Sequence, residues 1–371
     1  MPAEDPASAE AGADEPSITI TGTAQQQAWR DRVLPPVEKV RPGVWSLPTP
    51  FPNSPLRYVL AYLVETPRGP VLIDTGWPSE EAWDGLVAGV RETGHDVGDV
   101  VAVLVTHFHA DHFGLAHRVR QASGAWIGMH ELDARALSDF RSLAEFAAAD
   151  RAWLTHRGVP ASEIDDMLPH PRPESRVHAM SPDVMLADGG RPLGDDGPLR
   201  AIWTPGHTPG HLCFADERYN VLLTGDHVLP RITPNISPSP NSTDDTLGTY
   251  LDSLAGLTEI EPDEVLPAHE YRFVGLAARV RQLQEHHRAR LREVLGVVAA
   301  IEGRTTAEVA EGLTWSRPWD QNRGMIRRSA VGETYAHLVY LERRGLIGGV
   351  ADGAGEIDHW RLLKSMPGPL S

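Results

Sequence analysis

Apolar residues along the chain change their period several times, and each change marks an element. Tyr58 to Glu65 and Pro70 to Asp74 are nearly continuous apolar runs on either side of Arg68-Gly69, which predicts a hairpin of buried strands. A shorter strand is predicted at Gly43 to Leu47, with the Pro-rich stretch Pro48 to Pro55 as a loop after it. From Ser79 to Thr93 the apolar positions Trp83, Leu86, Val87 and Val90 recur at helical spacing, and Ser79 is placed to cap the first turn. Val100 to Val105 is then an unbroken apolar run, the mark of a strand covered on both faces.

Residues Glu131 to about Asp166 are Ala-rich, charged and helical in pattern, and the Pro-rich stretch Pro169 to Pro173 ends them. Residues 131–173 therefore read as a helical insertion, a lid over a neighbouring cleft. Strands return at Val184 to Ala187, Leu199 to Thr204, His211 to Ala215 and Val221 to Thr224. A Pro- and Ser-rich loop from Pro230 to Ser242, a helix from Thr246 to Leu257 and a strand from Glu264 to Pro267 follow. Beyond Leu276 the pattern is a long helix to Ile301, a short one at Thr306 to Leu313, a third at Ala330 to Arg344, and a turn-rich end with a strand-like Asp358 to Leu362. The expected organisation is an acidic disordered tail at 1–30, a main catalytic domain at 31–275 and a small winged-helix-like domain at 276–371.

Composition narrows the class. With 41% hydrophobic and 23% charged residues the chain is ordinary for a soluble globular protein, and no apolar run approaches the roughly 20 residues of a membrane span, so no membrane partner is expected. Met1 to Pro16 lacks the basic head and apolar stretch of an export signal. Cys213 is the single cysteine, which leaves no intrachain disulfide and no thiolate zinc cluster, and a cytoplasmic location is expected. The net charge of −17 disfavours nucleic acid without excluding it, because from Leu276 onward fourteen basic residues face eleven acidic ones, a local net of +3. Arg279, Arg281, Arg288, Arg290 and Arg292 fall on the long helix at spacings that cannot share one face, so they read as a solvated surface. A homodimer through these C-terminal helices is a candidate assembly.

The candidate chemistry sits where the run Val100 to Val105 ends. Thr106-His107-Phe108-His109-Ala110-Asp111-His112 packs four metal-ligand side chains into six consecutive residues. Alternate residues leaving a strand aim His107 and His109 at one point, and Asp111 with His112, a turn further on, face a second. Three more segments each end a predicted strand with a turn and a ligand: Trp203 to His207, Leu223 to Asp226, and Leu266 to His269. Asp74, in Leu72-Ile73-Asp74-Thr75-Gly76, joins the set. A single strand edge can gather all of them.

The order His107-x-His109-x-Asp111-His112, His207, Asp226, His269 resembles the metal-binding signature of the metallo-β-lactamase superfamily, over about Val44 to Arg272. The run Thr204-Pro205-Gly206-His207-Thr208-Pro209-Gly210-His211 is similar to that of glyoxalase II-like hydrolases, and the added helices resemble the winged-helix extension of the LACTB2-like branch. The resemblance implies an α+β fold, an αββα sandwich, with two Zn2+ per chain: His107, His109 and His207 on one ion, Asp111, His112 and His269 on the other, Asp226 bridging. It implies that Asp74 orients a ligand histidine and that His211 is structural. Oxygen-reducing diiron relatives carry Glu where this chain has His109, which favours zinc and hydrolysis.

The function so implied is hydrolysis of a small-molecule ester, thioester or lactone carbonyl by metal-bound hydroxide, with Asp111 holding the nucleophile as catalytic residue. A metal-dependent endoribonuclease of the LACTB2-like type is the alternative, and the acidity of the main domain argues against it. Phe51, Leu56, Tyr58, His227 and Tyr271 are candidate walls of the substrate pocket, with Arg231 a weaker one. His117, His130, His156, His286 and His287 lack converging partners in the pattern and read as solvated, without a role.

Overall fold

A computed structural model describes residues 17–138, 143–168, 181–240, 244–351 and 357–363. The expected tail up to Pro16 and the end of the insertion at Pro169 to Pro173 lie outside the described residues.

Residues 17–30 are not part of a tail. They form strand β1 (Thr19–Ile20) and begin helix α1 (Thr23–Asp31), and β1 pairs with a strand near residue 273 through Ile20↔Phe273. Side-chain hydrogen bonds hold the helix where an apolar stripe is lacking. Gln25, fully buried, donates to Ser46 Oγ (3.0 Å) and accepts from the Arg272 backbone N–H (3.0 Å). A polar helix held in this way leaves no hydrophobic period to read.

The first sheet runs in chain order through β2 (Glu38–Arg41), β3 (Val44–Pro50), β4 (Tyr58–Thr66), β5 (Gly69–Ile73), β6 (Ala102–Leu104), β7 (Trp126–His130) and β8 (Val184–Leu186). It is antiparallel up to β5 and parallel from β5 onward. The second sheet joins β9 (Leu199–Trp203), β10 (Leu212–Asp216), β11 (Val221–Gly225), β12 (Glu264–Pro267), β13 (Phe273–Val274) and β1, with β11 and β12 parallel. β3 extends through Pro48 to Pro50, part of the stretch expected to be loop.

Alternation along β4 shows why its sequence is apolar throughout. Leu60, Tyr62 and Val64 meet Leu212, Phe214, Leu223 and Leu266 between the sheets, while Ala61 and Leu63 face the other way. On that outer face they pack with Leu86 and Val90 of α2 (Glu80–Glu92) and Val119 of α4 (Ala116–Ser123). Each fully buried Leu or Val contributes about 1.5–3 kcal/mol. The capping expected of Ser79 is present, its Oγ accepting from the Ala82 N–H at 3.2 Å.

The outer face of the second sheet, through Cys213, Leu222 and Val265, packs on α8 (Thr246–Leu257), α9 (Leu276–Ala300) and α11 (Gly324–Arg343). The insertion forms α5 (Glu131–Ser138), α6 (Leu143–His156) and α7 (Ala161–Met167), and Trp153, Leu154, Ile164 and Met167 enter the same core. After α9 come β14 (Arg304–Thr305), α10 (Thr306–Glu311), α11 and the hairpin of β15 (Ile347–Ala351) and β16 (Asp358–Leu362), which form a three-stranded sheet. The boundary expected at residue 275 separates no independent core: Leu254 of α8, Leu283 of α9 and Leu338 of α11 belong to one cluster. Layers run helix, sheet, sheet, helix, as expected.

Candidate metal centre

Two parallel strand pairs, β5 with β6 and β11 with β12, bring four strand ends to one edge, and each is followed by a candidate ligand or its support. Asp74 follows β5 with φ of +59°, a left-handed backbone that turns its carboxylate back over the strand end. Its oxygens accept from Thr106 N–H (2.8 Å) and Thr106 Oγ1 (2.7 Å), fixing the loop that carries His107. The one-turn helix α3 (Ala110–Phe113) then lifts Asp111 and His112 to the next level. Gly225 precedes Asp226 with φ of +50°, and a Cβ there would lie 2.7 Å from His211 Nε2 and 2.9 Å from Thr106 Cβ, so glycine is what lets β11 end this close to the histidine loop.

Four imidazoles are anchored through Nδ1. His112 donates to Asp74 Oδ2 (2.8 Å), His207 to Asn235 O (2.9 Å), His269 to Tyr58 O (3.1 Å) and His107 to Thr106 Oγ1 (3.0 Å). This network assigns the tautomers and turns each Nε2 inward. His107 Nε2 and His207 Nε2 stand 3.0 and 3.1 Å from His109 Nδ1. Ligand atoms around a tetrahedral zinc with bonds of about 2.0–2.1 Å are roughly 3.3 Å apart, so the trio has the span of one coordination sphere.

A second group lies beside it. His269 Nε2 is 3.4 Å from Asp111 Oδ2 and 3.3 Å from Asp226 Oδ1, and His112 Nε2 is 3.6 Å from each carboxylate. Asp226 reaches the first trio through its other oxygen, with Oδ2 3.6 Å from His207 Nε2. His112 Nε2, His269 Nε2 and Asp226 Oδ1 are buried without a hydrogen-bond partner, a cost that few native polar atoms bear. Orphaned imidazole nitrogens and carboxylate oxygens converging in one place fit a divalent cation of the borderline kind.

The charges divide the site. Burial, reinforced by neighbouring imidazoles, holds His107 well below the usual histidine range and His109 at about 3, and burial also lowers His207. Burial pulls His112 and His269 down too, but the carboxylates outweigh it: Asp226, Asp111 and Asp74 raise His112 well up, and Asp226 with Asp111 pushes His269 to about 10. The same pairing overcomes burial to hold Asp111 at about 2 and Asp226 well below the carboxylate range. In the metal-free chain, protons on His112 and His269 stand in for the positive charge that the carboxylates demand.

Cation loading at pH 7 should therefore release close to two protons, measurable by calorimetry in buffers of different ionisation enthalpy; release of none would contradict this charge pattern. The sign for stability follows from His269. Its folded pKa of about 10 lies above the unfolded value near 6.5, so the contribution is complete below about 6.5 and lost as pH rises to 10. The melting temperature of metal-stripped protein should fall across that window, and that of metal-loaded protein should lack this fall.

Asp133, at the start of α5, is a residue that the sequence pattern does not single out. Fully buried, it accepts from Phe108 N–H (3.0 Å), Thr208 Oγ1 (2.8 Å) and Gly210 N–H (2.6 Å), tying the loop of His107 and His109 to the loop of His207. Burial pushes its pKa up to about 7 against those three donors. His211 is structural as expected, held by Thr204 Oγ1 at 2.9 Å and accepting from the Asp226 N–H at 3.2 Å.

Among the expected pocket walls the structure makes corrections. Tyr58 has no exposed surface and gives its hydroxyl to Glu270 O (2.8 Å), and His227 is likewise buried, with Nε2 3.2 Å from Ser253 Oγ. Neither faces a cleft. Tyr271 is 7% exposed, while Phe51 and Leu56 are half-buried, Phe51 stacking on Trp77 with centroids 4.9 Å apart. Arg231 pairs with Glu270 at 2.9 Å. His287, expected to be solvated, is buried with Nδ1 3.1 Å from His337 Nε2.

Fold and site together define a metal-dependent hydrolase of the αββα type. The family pattern of the metallo-β-lactamase superfamily matches residues 54–269, and the chain belongs to that superfamily. It is similar to the lactamase-like protein adaB of Aspergillus niger (28% identity, 74% of this chain and 69% of that one) and to the atrochrysone carboxyl ACP thioesterase of Aspergillus chevalieri (25%, 74% and 71%). Among solved structures it is similar to a metallo-β-lactamase family protein of Thermus thermophilus (TM-score 0.70, 29% identity, 87% of this chain and all of that one). A β-lactamase domain protein of Burkholderia ambifaria is similar as well (TM-score 0.71, 26% identity, 93% and 97%). Shares this large take in the C-terminal helices together with the sandwich.

Proposed function

We propose that the chain is a dinuclear zinc hydrolase acting on a thioester, with esters and lactones as related substrates. The observation that carries this reading is the split of Asp226, one oxygen toward His207 and the other toward His112 and His269. His107, His109 and His207 would hold one ion, Asp111, His112 and His269 the other, with Asp226 between them. A pair of zinc ions supplies a water acidic enough to attack near neutral pH and a Lewis acid for the substrate oxygen. Asp111, the most exposed of these carboxylates, is placed to orient the attacking water and take up its proton. Asp74, Thr106, Asn235 and Tyr58 keep the ligand nitrogens aimed while charge develops.

Thioester is preferred because one relative is named an ACP thioesterase, and a carrier-bound acyl group is the form of substrate that name suggests for this chain. The winged-helix reading of the C-terminal unit rests on its order of helix, strand, helix, helix and hairpin. The endoribonuclease alternative loses ground on the arginines: Arg279 and Arg328 are buried and Arg290 is engaged with Glu293 and Thr314 O, so these three offer no open basic path. No helix among the described residues is long and apolar enough to cross a membrane, and a cytoplasmic site of action is part of the proposal, resting on the lone, buried Cys213.

The test is elemental analysis of the purified chain joined to a hydrolysis panel of acyl thioesters, lactones, esters, β-lactams and RNA on the same preparation. About two zinc per chain with turnover highest on thioesters is expected. Metal-free protein, or RNA as the favoured substrate, would refute the reading.

A further inference from the structure

His207 differs from the other anchored imidazoles in what holds it. His107, His112 and His269 hang from Thr106, Asp74 and Tyr58, all beside strands of the first sheet, whereas His207 hangs from the carbonyl of Asn235, on the long loop between β11 and α8. A loop carbonyl aims a ligand only as firmly as the loop itself is held.

Both flanks of Asn235 are held from the C-terminal helices. On one side the Arg279 guanidinium of α9 donates to Leu229 O (2.6 Å), Arg231 O (2.9 Å) and Ile232 O (2.8 Å). Glu270, next to His269, accepts the Arg231 and Ile232 N–H groups at 3.1 and 3.3 Å. On the other side Arg328 of α11 donates to Ser237 Oγ (2.9 Å) and to Asp150 of α6 (2.8 Å). Ile236 between them is fully buried in the core that α8, α9 and α11 share. α11 carries glycine where this loop touches it: a Cβ on Gly332 would lie 2.0 Å from Ser237 Oγ, 2.7 Å from Arg328 Nη1 and 2.9 Å from Ser237 Cβ.

We infer that Arg279 and Arg328 are positioning residues for the metal centre, acting through residues 229–237 on His207, and that the C-terminal helices thereby complete the site. This rests on the metal assignment proposed above. Arg279, Arg328 and Asp150 are 7%, 8% and 0% exposed, so their charges have left water and depend on these partners, joined by Gln282 Oε1 at 3.1 Å from Arg279 Nη1 and the Trp153 ring 4.5 Å from Arg328 Cζ. A guanidinium suits the task because one rigid fork holds several carbonyls at once, which an ammonium on the same stem cannot do.

The experiment uses the full chain with zinc or cobalt. In Arg279→Met, chelator competition should show about a 10-fold or greater loss of affinity for one ion, the cobalt visible spectrum should change, and kcat should fall with little change in KM. Arg281→Met, exposed on the same helix, should match the unmodified protein in all three. A lowered melting temperature with unchanged affinity and spectrum would overturn the inference, since that is what a purely structural arginine predicts.

Should Arg279→Met fail to fold, Gly332→Ala asks the same question: alanine is the better helix former, yet its methyl displaces Ser237. The cobalt spectrum should change, because the methyl falls 2.0 Å from Ser237 Oγ and 2.7 Å from Arg328 Nη1, the two atoms whose hydrogen bond ties α11 to the loop. An unchanged spectrum in Gly332→Ala overturns the inference. An unmodified chain that binds no cation in the same titration defeats the metal assignment instead.

Discussion

Asp226→Ala protein should purify with reduced zinc and hydrolyse its substrate more than about 100-fold more slowly than the unmodified chain. Removing a group that merely orients a metal ligand costs about 10–100-fold in affinity or activity. Asp226 does more, because its two oxygens face both donor groups, at 3.6 Å from His207 Nε2 and 3.3 Å from His269 Nε2. Its loss also removes the largest of the carboxylate charges that raise His112 and His269, leaving Asp111 and Asp74 to oppose the burial of those imidazoles. Metal analysis and steady-state turnover on one preparation check the result. Normal turnover would dispose of the binuclear reading, while lost turnover with full metal would move Asp226 from ligand to some other role.

Asp133→Ala should weaken the fold by about 3 kcal/mol and lower metal affinity as well. Three donors converge on this carboxylate, and a buried donor left without an acceptor costs about 1–3 kcal/mol, so the lower bound for three sets the figure. The second effect arises because the donors belong to different ligand loops, Phe108 beside His107 and His109, Thr208 and Gly210 beside His207. Asp133→Asn keeps the size but points an amide N–H at one of the donors, so it should rescue poorly. Urea unfolding followed by chelator competition separates the two losses. Unchanged stability and affinity in Asp133→Ala would show that the loops hold their places without it.

Much of the site was legible because ligand density and strand ends coincide in the sequence. Val100 to Val105 could hardly be anything but a buried strand, and β6 lies within it, so the histidines after it had to emerge at a sheet edge. The same logic located His207, Asp226 and His269. Less legible were the residues whose importance depends on what lies opposite. Arg279 on a basic helix looks solvated until Leu229, Arg231 and Ile232 are seen to present their carbonyls to it, and Asp133 looks like any acidic residue in a first helical turn. Tyr58 and His227 failed as pocket walls for a related reason: proximity to a ligand in sequence says nothing of which way a side chain turns, and both turn inward.

The expected boundary at residue 275 crosses a shared hydrophobic cluster because the pattern shows where the period changes and not where packing stops. Trp153 of the insertion and Tyr335 of α11 stand with ring centroids 5.6 Å apart across 182 residues of chain, and no local periodicity encodes that meeting.

The short strand at Thr19 and Ile20 has a practical outcome for anyone trimming the gene. Composition invites a truncation at residue 31, yet β1 is the outermost strand of the second sheet and covers β13, whose Val274 is already 37% exposed. A fragment begun there would present a bare row of amides and carbonyls to its neighbours, a ready template for edge-to-edge clumping of copies.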